Sequence, residues 1–202
     1  MYLPAYLNNA DIDIIKNISK YFDGFYCQGN YSLLNKENSA NTFLDGKTLF
    51  LGTGLNIFNK IDCNNLSDKI YVLSQELNKN ELNTLINKNN YVFTLGNIET
   101  MQFIYCPLGK NCSNCINHNI FNLVDENNRK FQVRRYKLSS CRFIMYNSFD
   151  LISDAINSNK LYNFTLYDND KIIKILNNIS NVSDLKNIII DYTKGHFIKG
   201  IN

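Results

Sequence analysis

Four of the six cysteines in this chain of 202 residues, Cys106, Cys112, Cys115 and Cys141, fall in one polar stretch with a spacing that suits soft metal ligation. Cys106 to Cys112 is C-x5-C, Cys112 to Cys115 is C-x2-C, and twenty-five residues separate Cys115 from Cys141. A C-x2-C turn lets two thiolates face one ion, and a β-hairpin between the third and fourth cysteines would return the last one to the same point. Pro107 and Gly109 supply turn chemistry, and Arg142 offsets the negative charge that gathered thiolates concentrate. Tetrahedral thiolate sites serve zinc and [4Fe-4S] clusters alike, so the spacing leaves both open. His118, at C-x2-H from Cys115, is an alternative ligand. Buried cysteines that merely pack behave as small hydrophobes. Cys27, inside an apolar run, and Cys63, on a separate loop, read that way, whereas the polar setting of the other four favours a shared site.

A second chemical feature is the basic run Arg129, Lys130, Arg134, Arg135, Lys137 and Arg142, which contains no acidic residue and is interleaved with Phe131 and Tyr136. Such a run reads either as a surface for RNA or phosphate or as the solvated face of a hairpin. No glycine-rich phosphate loop, zinc-protease helix or Ser/His/Asp order is present, so proteolysis has no recognisable nucleophile.

Positioning these groups requires a scaffold, and the scaffold is legible as alternating strands and helices. Ile12, Ile15, Ile18 and Tyr21 form a helical stripe over residues 10–21, with Asn9 or Asp11 as cap. Residues 22–27, 48–53, 69–74 and 91–95 are short apolar runs bounded by Gly, Asn and Asp, the pattern of strands buried on both faces. Leu77, Leu82, Leu85 and Ile86 lie at helical spacing between the last two, which gives a parallel βαβ pattern. Residues 101–148 break that rhythm with a cysteine-rich insertion containing a hairpin, 121–124 and 131–133 around the turn 125–128. A helix near 149–157, a strand at 161–166, a helix at 170–178 and an irregular tail follow. The expected organisation is therefore one α/β domain over residues 1–202.

Composition sets limits on partners. With 45% hydrophobic and 19% charged residues the chain can bury a real core, and a net charge of +3 is too mild to demand a nucleic acid or anionic membrane across the whole surface. The opening residues lack a basic region and a signal-length apolar segment, and no apolar run reaches the roughly 18 to 20 residues of a membrane span. A cytoplasmic location is expected. Clustered cysteines in that compartment point to metal or catalysis rather than disulfides. The bias toward Asn, Lys, Ile, Tyr and Phe reads as that of an AT-rich coding sequence.

Several segments together resemble the collagenase-like peptidases of unknown catalytic type, the unknown-type peptidase family numbered thirty-two. They are Phe22-Asp23-Gly24-Phe25, Leu55-Asn56-Ile57-Phe58-Asn59, Leu73-Ser74-Gln75-Glu76-Leu77-Asn78, Tyr105-Cys106-Pro107-Leu108-Gly109, Cys141-Arg142 with Tyr146-Asn147-Ser148, and Thr193-Lys194-Gly195-His196-Phe197. The resemblance spans nearly the whole chain and implies a partial (β/α) barrel, the C-terminal half of a TIM-like barrel, with the cysteine-rich hairpin inserted. It also implies a [4Fe-4S] cluster at the four cysteines, as in related ubiquinone-hydroxylation and RNA-hydroxylation proteins, with zinc as the alternative. Two departures stand out: the family's opening half and its Leu-Ala-Pro-Ala-Gly type start have no counterpart, and Leu95-Gly96 replaces the family's His-Gly or Tyr-Gly. The expected partner is accordingly a separate N-terminal half-barrel or a second copy of the chain, with RNA a further partner through the basic hairpin.

In a barrel the active face lies just past the C-terminal strand ends, which would gather Gln28, Asn56, Gln75, Glu76 and Asn97. Glu76 is the one carboxylate of that set and the candidate acid or base, against the alternative of a helix-start Glu favoured by the macrodipole. His196, in the motif-like tail, is the second catalytic candidate, and Arg129, Arg134, Arg135 and Arg142 are the candidate substrate-binding residues. The favoured function is iron-sulfur-dependent assistance to hydroxylation or modification of RNA or a small aromatic. The alternatives are a peptidase and a non-catalytic partner subunit or degenerate fragment.

Overall fold

All four apolar runs become strands and pair in parallel. The computed structural model describes residues 1–29, 43–109, 119–153 and 157–198. The described residues belong to two compact units, Met1–Leu95 with Ile152–Asn163 and Lys194–Asn202, and Gly96–Leu151 with Phe164–Thr193.

In the first unit β1 (Tyr2–Leu3), β2 (Gly24–Cys27), β3 (Thr48–Leu51), β4 (Ile70–Val72) and β5 (Asn90–Gly96) lie side by side in sequence order, all parallel. Parallel neighbours need a crossover, and α1 (Asn9–Ile18), α2 (Lys60–Asn65) and α3 (Lys79–Leu85) carry the chain from β1 to β2, β3 to β4 and β4 to β5. Leu3, Ile15, Phe25, Leu51, Tyr71, Val72 and Leu73 form the buried centre.

Every one of these helices is short, so its ends weigh heavily. The cap of α1 is Asn8, one residue earlier than Asn9 and with Asp11 in a different role: Asn8 Oδ1 accepts from Asp11 N at 2.8 Å, while Asp11 Oδ2 accepts from Asn8 N at 3.0 Å. Asn8 wins because its backbone is still extended, as a cap requires (φ −99°, ψ 175°). Tyr21 leaves the predicted stripe and is 73% exposed, because residues 19–21 tighten into a 3-10 turn that rotates further per residue. The helix expected from Leu77 to Lys88 is only Lys79–Leu85: Asn78 caps its start, and Ile86 (φ −58°, ψ 131°) ends it. Asn87 then redirects the backbone, its Oδ1 accepting from Asn89 N at 2.8 Å and Asn90 N at 3.1 Å.

Four antiparallel strands of the second unit run in the order β6 (Glu99–Phe103), β9 (Cys141–Tyr146), β8 (Lys130–Lys137) and β7 (Ile120–Val124). The expected hairpin is present as β7 and β8, and Asp125 organises its turn by accepting from Asn127 N at 2.9 Å and Arg129 N at 2.8 Å. Central β9 buries Phe143, which stacks on Phe103 at 5.4 Å and meets Phe121 edge-on at 6.2 Å. Helices α4 (Asn169–Asn177) and α5 (Val182–Ile188) complete the unit.

The helix predicted near 149–157 is not formed by the described residues of that range. Asp150–Ile152 is instead β10, paired in parallel with β12 (Tyr192–Thr193) through Asp150↔Tyr192 and Leu151↔Thr193. Residues 154–156 of that expectation lie outside the described residues. The strand expected at 161–166 is shifted to β11 (Asn159–Asn163), which pairs with β5. No helix of the described residues is long and apolar enough to cross a membrane.

Replacing Asn78 by Ala removes the acceptor for Asn80 N (2.9 Å) and Glu81 N (3.0 Å) and should lower stability by about 1 kcal/mol, read as a shift of the urea midpoint at constant slope. An unchanged midpoint would mean that α3 does not depend on this cap.

Candidate functional site

The antiparallel sheet fixes where Cys106 and Cys141 stand in the chain's path. Phe103 faces Phe143 across β6 and β9, so the chain leaves β6 toward Cys106 at the end of the sheet where β9 begins with Cys141. Lys137 lies opposite Cys141 on β8, and Asn119, just before β7, accepts from Arg135 N at 2.7 Å. The chain therefore leaves β6 and re-enters at β7 at the same end. Cys106 and Cys141 are both free thiols and both half-buried. Cys112, Cys115 and His118 lie outside the described residues. Among the described residues no group of three or more Cys, His, Asp or Glu is placed to hold a metal. The two cysteines read as packing residues, Cys27 and Cys63, are buried. Burial pushes the Cys27 thiol up to about 12, against a smaller downward pull from the chain's amino terminus.

The basic run does not form a single face. Arg134 and Arg135 are neighbours on an extended strand and point to opposite sides of the sheet. Arg134 donates from NH1 to Thr165 O at 3.0 Å, and Arg135 from NH2 to Asn119 Oδ1 at 3.0 Å. Arg142 is only 4% exposed and donates to Ser140 Oγ and, at 3.3 Å, to Cys141 O, beside the cysteine end of the sheet. Arg129 is exposed on the hairpin turn.

The expected strand-end residues are partly gathered. In the first unit Gln28 is buried and donates from Nε2 to Thr53 Oγ1 at 3.0 Å, while Ser74 donates its hydroxyl to Asn56, which adopts a left-handed backbone (φ 49°). Gly54 is required here, since a Cβ would lie 1.9 Å from Gln28 O. Gln75 is half-buried beside them. Glu76 is exposed, its backbone N donating to Ser74 Oγ at 3.1 Å. His196 is also exposed, but Phe197 O accepts from Lys79 N at 2.9 Å, which seats the tail turn at the start of α3, three residues past Glu76.

Asn97 belongs to a different constellation, one that sequence reasoning missed. Within the second unit Asp150 is a hub: its Oδ1 accepts from Asn97 Nδ2 at 2.8 Å and its Oδ2 from the Tyr167 hydroxyl at 2.5 Å. Lys171 Nζ stands 4.0 Å from the same Oδ2 and 3.8 Å from the centre of the Tyr167 ring. Asn97, 2% exposed, also accepts from Leu166 N at 2.8 Å. These groups border a cavity of about 470 Å³. The one sequence signal was a lone carboxylate in the apolar run Phe149-Asp150-Leu151-Ile152. Burial, then the hydrogen bond to Asp150 and its charge, push the Tyr167 phenol far above its ordinary value, so it stays a protonated donor.

Comparison with models of known protein families, with curated proteins and with solved structures returns no match.

An unfolded tyrosine titrates near ~10, so above that pH the unfolded chain releases a proton that folded Tyr167 keeps, and stability falls as pH rises. Tyr167→Phe should be less stable than the parent near neutral pH and lose less stability on alkalinisation. Thermal melts at about pH 8 and about pH 10.5 test this; an unaltered alkaline loss would remove Tyr167 from the account.

Proposed function

We propose that Cys106, Cys112, Cys115 and Cys141 hold one metal centre, a [4Fe-4S] cluster in preference to zinc, and that the chain assists hydroxylation or modification of RNA or a small aromatic. The observation that carries this reading is the β6–β9 register, which brings the chain carrying Cys106 and the start of β9 at Cys141 to one end of one sheet. Two free, half-buried thiols there suit soft metal ligation. When bound, such a cluster supplies one-electron transfer, and a buried cationic Arg142 next to Cys141 offsets thiolate charge. Arg129, Lys130 and Lys137, exposed on the hairpin, are the residues of the basic run left to meet an anionic substrate.

The resemblance to collagenase-like peptidases enters here as well, together with the finer reading of the fold as part of a (β/α) barrel. Its support is the first unit's run of five parallel strands in sequence order, with helices in the β1–β2, β3–β4 and β4–β5 crossovers. An open parallel set has edges to satisfy, so the chain should self-associate or join a partner that adds strands beside β1. A purified chain that sediments as a monomer at all concentrations would argue against that reading.

The metal reading is tested on anaerobically purified protein by elemental analysis and visible absorption. A brown protein with iron and sulfide is expected. Cys106→Ser and Cys141→Ser should each lose most of the metal, while Cys27→Ser and Cys63→Ser should keep it. Equal metal content in all four variants, or no metal in the parent, would sink the shared site.

A further inference from the structure

The cavity of the second unit presents two kinds of lining. Asp150, Asn97, Tyr167 and Asp168 are committed: the first three to one another, and Asp168 to α4, where it caps by accepting from Lys171 N at 2.7 Å. Lys130, Asp191, Asn122, Gln132 and Ser148 also line it, and among the described residues their side chains make no hydrogen bond and no ion pair. Asn122 and Gln132 are not scattered: they are direct partners across β7 and β8, and Lys130 is on the same face of β8 as Gln132. Asp191 stands immediately before β12, and its backbone O accepts from Asp150 N at 3.0 Å. Thus one cavity carries an uncommitted ammonium and an uncommitted carboxylate outside ion-pair reach of each other, with an uncommitted pair of side-chain amides along the sheet wall.

We propose that this cavity binds a small zwitterionic peptide, of dipeptide size. Its carboxylate would be taken by Lys130, its ammonium by Asp191, and its peptide bond by the amides of Asn122 and Gln132, which together offer donors and acceptors for a C=O and an N–H. Leu166 and Ile188 give the apolar wall that a side chain of the ligand would cover. The volume of about 470 Å³ lies in the range of small-ligand sites and exceeds what a single small amino acid fills. Charge decides against the two nearest alternatives. A mononucleotide would set its phosphate near Lys130 and Lys171 but leave Asp191 facing an anion, and a neutral sugar would leave both charges without a partner. The proposal does not depend on the cysteine centre.

The test is calorimetric titration of the full chain with glycyl-leucine, with N-acetyl-glycyl-leucine, with glycyl-leucinamide and with uridine monophosphate, at low salt. Glycyl-leucine is expected to bind, and each capped form to bind at least about tenfold more weakly, since each cap removes one charge-assisted contact. Lys130→Gln should reduce affinity for glycyl-leucine and abolish the discrimination against the amide; Asp191→Asn should do the same for the acetyl form. Both residues are exposed, so both variants should fold, which the melting temperature verifies. Absence of glycyl-leucine binding up to about 10 mM, equal affinity for capped and uncapped forms, or tighter binding of uridine monophosphate would each overturn the proposal.

Discussion

Backbone N–H groups with no backbone partner are the recurring debt of a fold made of short helices and tight turns, and here the side-chain oxygen of asparagine meets it. A helix of six to ten residues leaves its first N–H groups open whatever its interior does, so its start must be capped for it to exist at all. Asn8, Asn59, Asn78 and Asn181 cap α1, α2, α3 and α5, and Asp168 does so for α4. Asn87 and Asn90 repeat the device between α3 and β5, where Asn90 is fully buried and donates to Leu85 O at 2.8 Å while accepting from Asn87 N at 3.1 Å. Asn97 uses the same chemistry to tie Leu166 N to Asp150. A composition that reads as coding bias is therefore also a structural resource.

This separates what the sequence discloses from what it hides. The parallel strands were legible because short apolar runs bounded by Gly, Asn and Asp favour strands, and β2, β3, β4 and β5 lie within or almost within the runs that predict them. Strands β4 and β5 are buried on both faces, whereas β2 alternates half-buried with buried and β3 is buried only at Leu51. The β7–β8 hairpin was legible from its polar turn, whose Asp125 closes it locally. Missed elements lack a local signature. Strand β10 is three residues whose pairing depends on Tyr192 and Thr193, forty-two positions away, and α5 is too short for periodicity to register. Helix ends erred where cap identity depended on a backbone angle, as at Asn8 rather than Asn9.

The candidate sites divide along the same line. Cysteines announce themselves by type, and their spacing predicts a shared site; the register of β6, β9 and β8 puts the start of β9 at Cys141 at the end of the sheet where the chain leaves β6 toward Cys106. Glu76 was singled out from its position in a presumed barrel and His196 from its motif-like tail, and the Lys79–Phe197 hydrogen bond brings that tail to the start of α3. The Asp150 constellation was invisible because its partners are 53 and 17 residues distant and none carries a motif. Its parts are common residues made unusual by burial.

Burial also sorts the thiols, which were grouped in the sequence by spacing and setting. Cys27 sits in the first unit's parallel sheet, where desolvation drives its thiol up to about 12, so at neutral pH it has essentially no thiolate with which to ligate or attack. A metal at that position would have to repay the removal of the proton and the loss of apolar packing together. Cys106 and Cys141 stand on loop and strand start and are half-exposed. The distinction between Cys27 and the two thiols at the end of the antiparallel sheet is thus one of burial: a thiol enclosed in a sheet's core is held as a small hydrophobe.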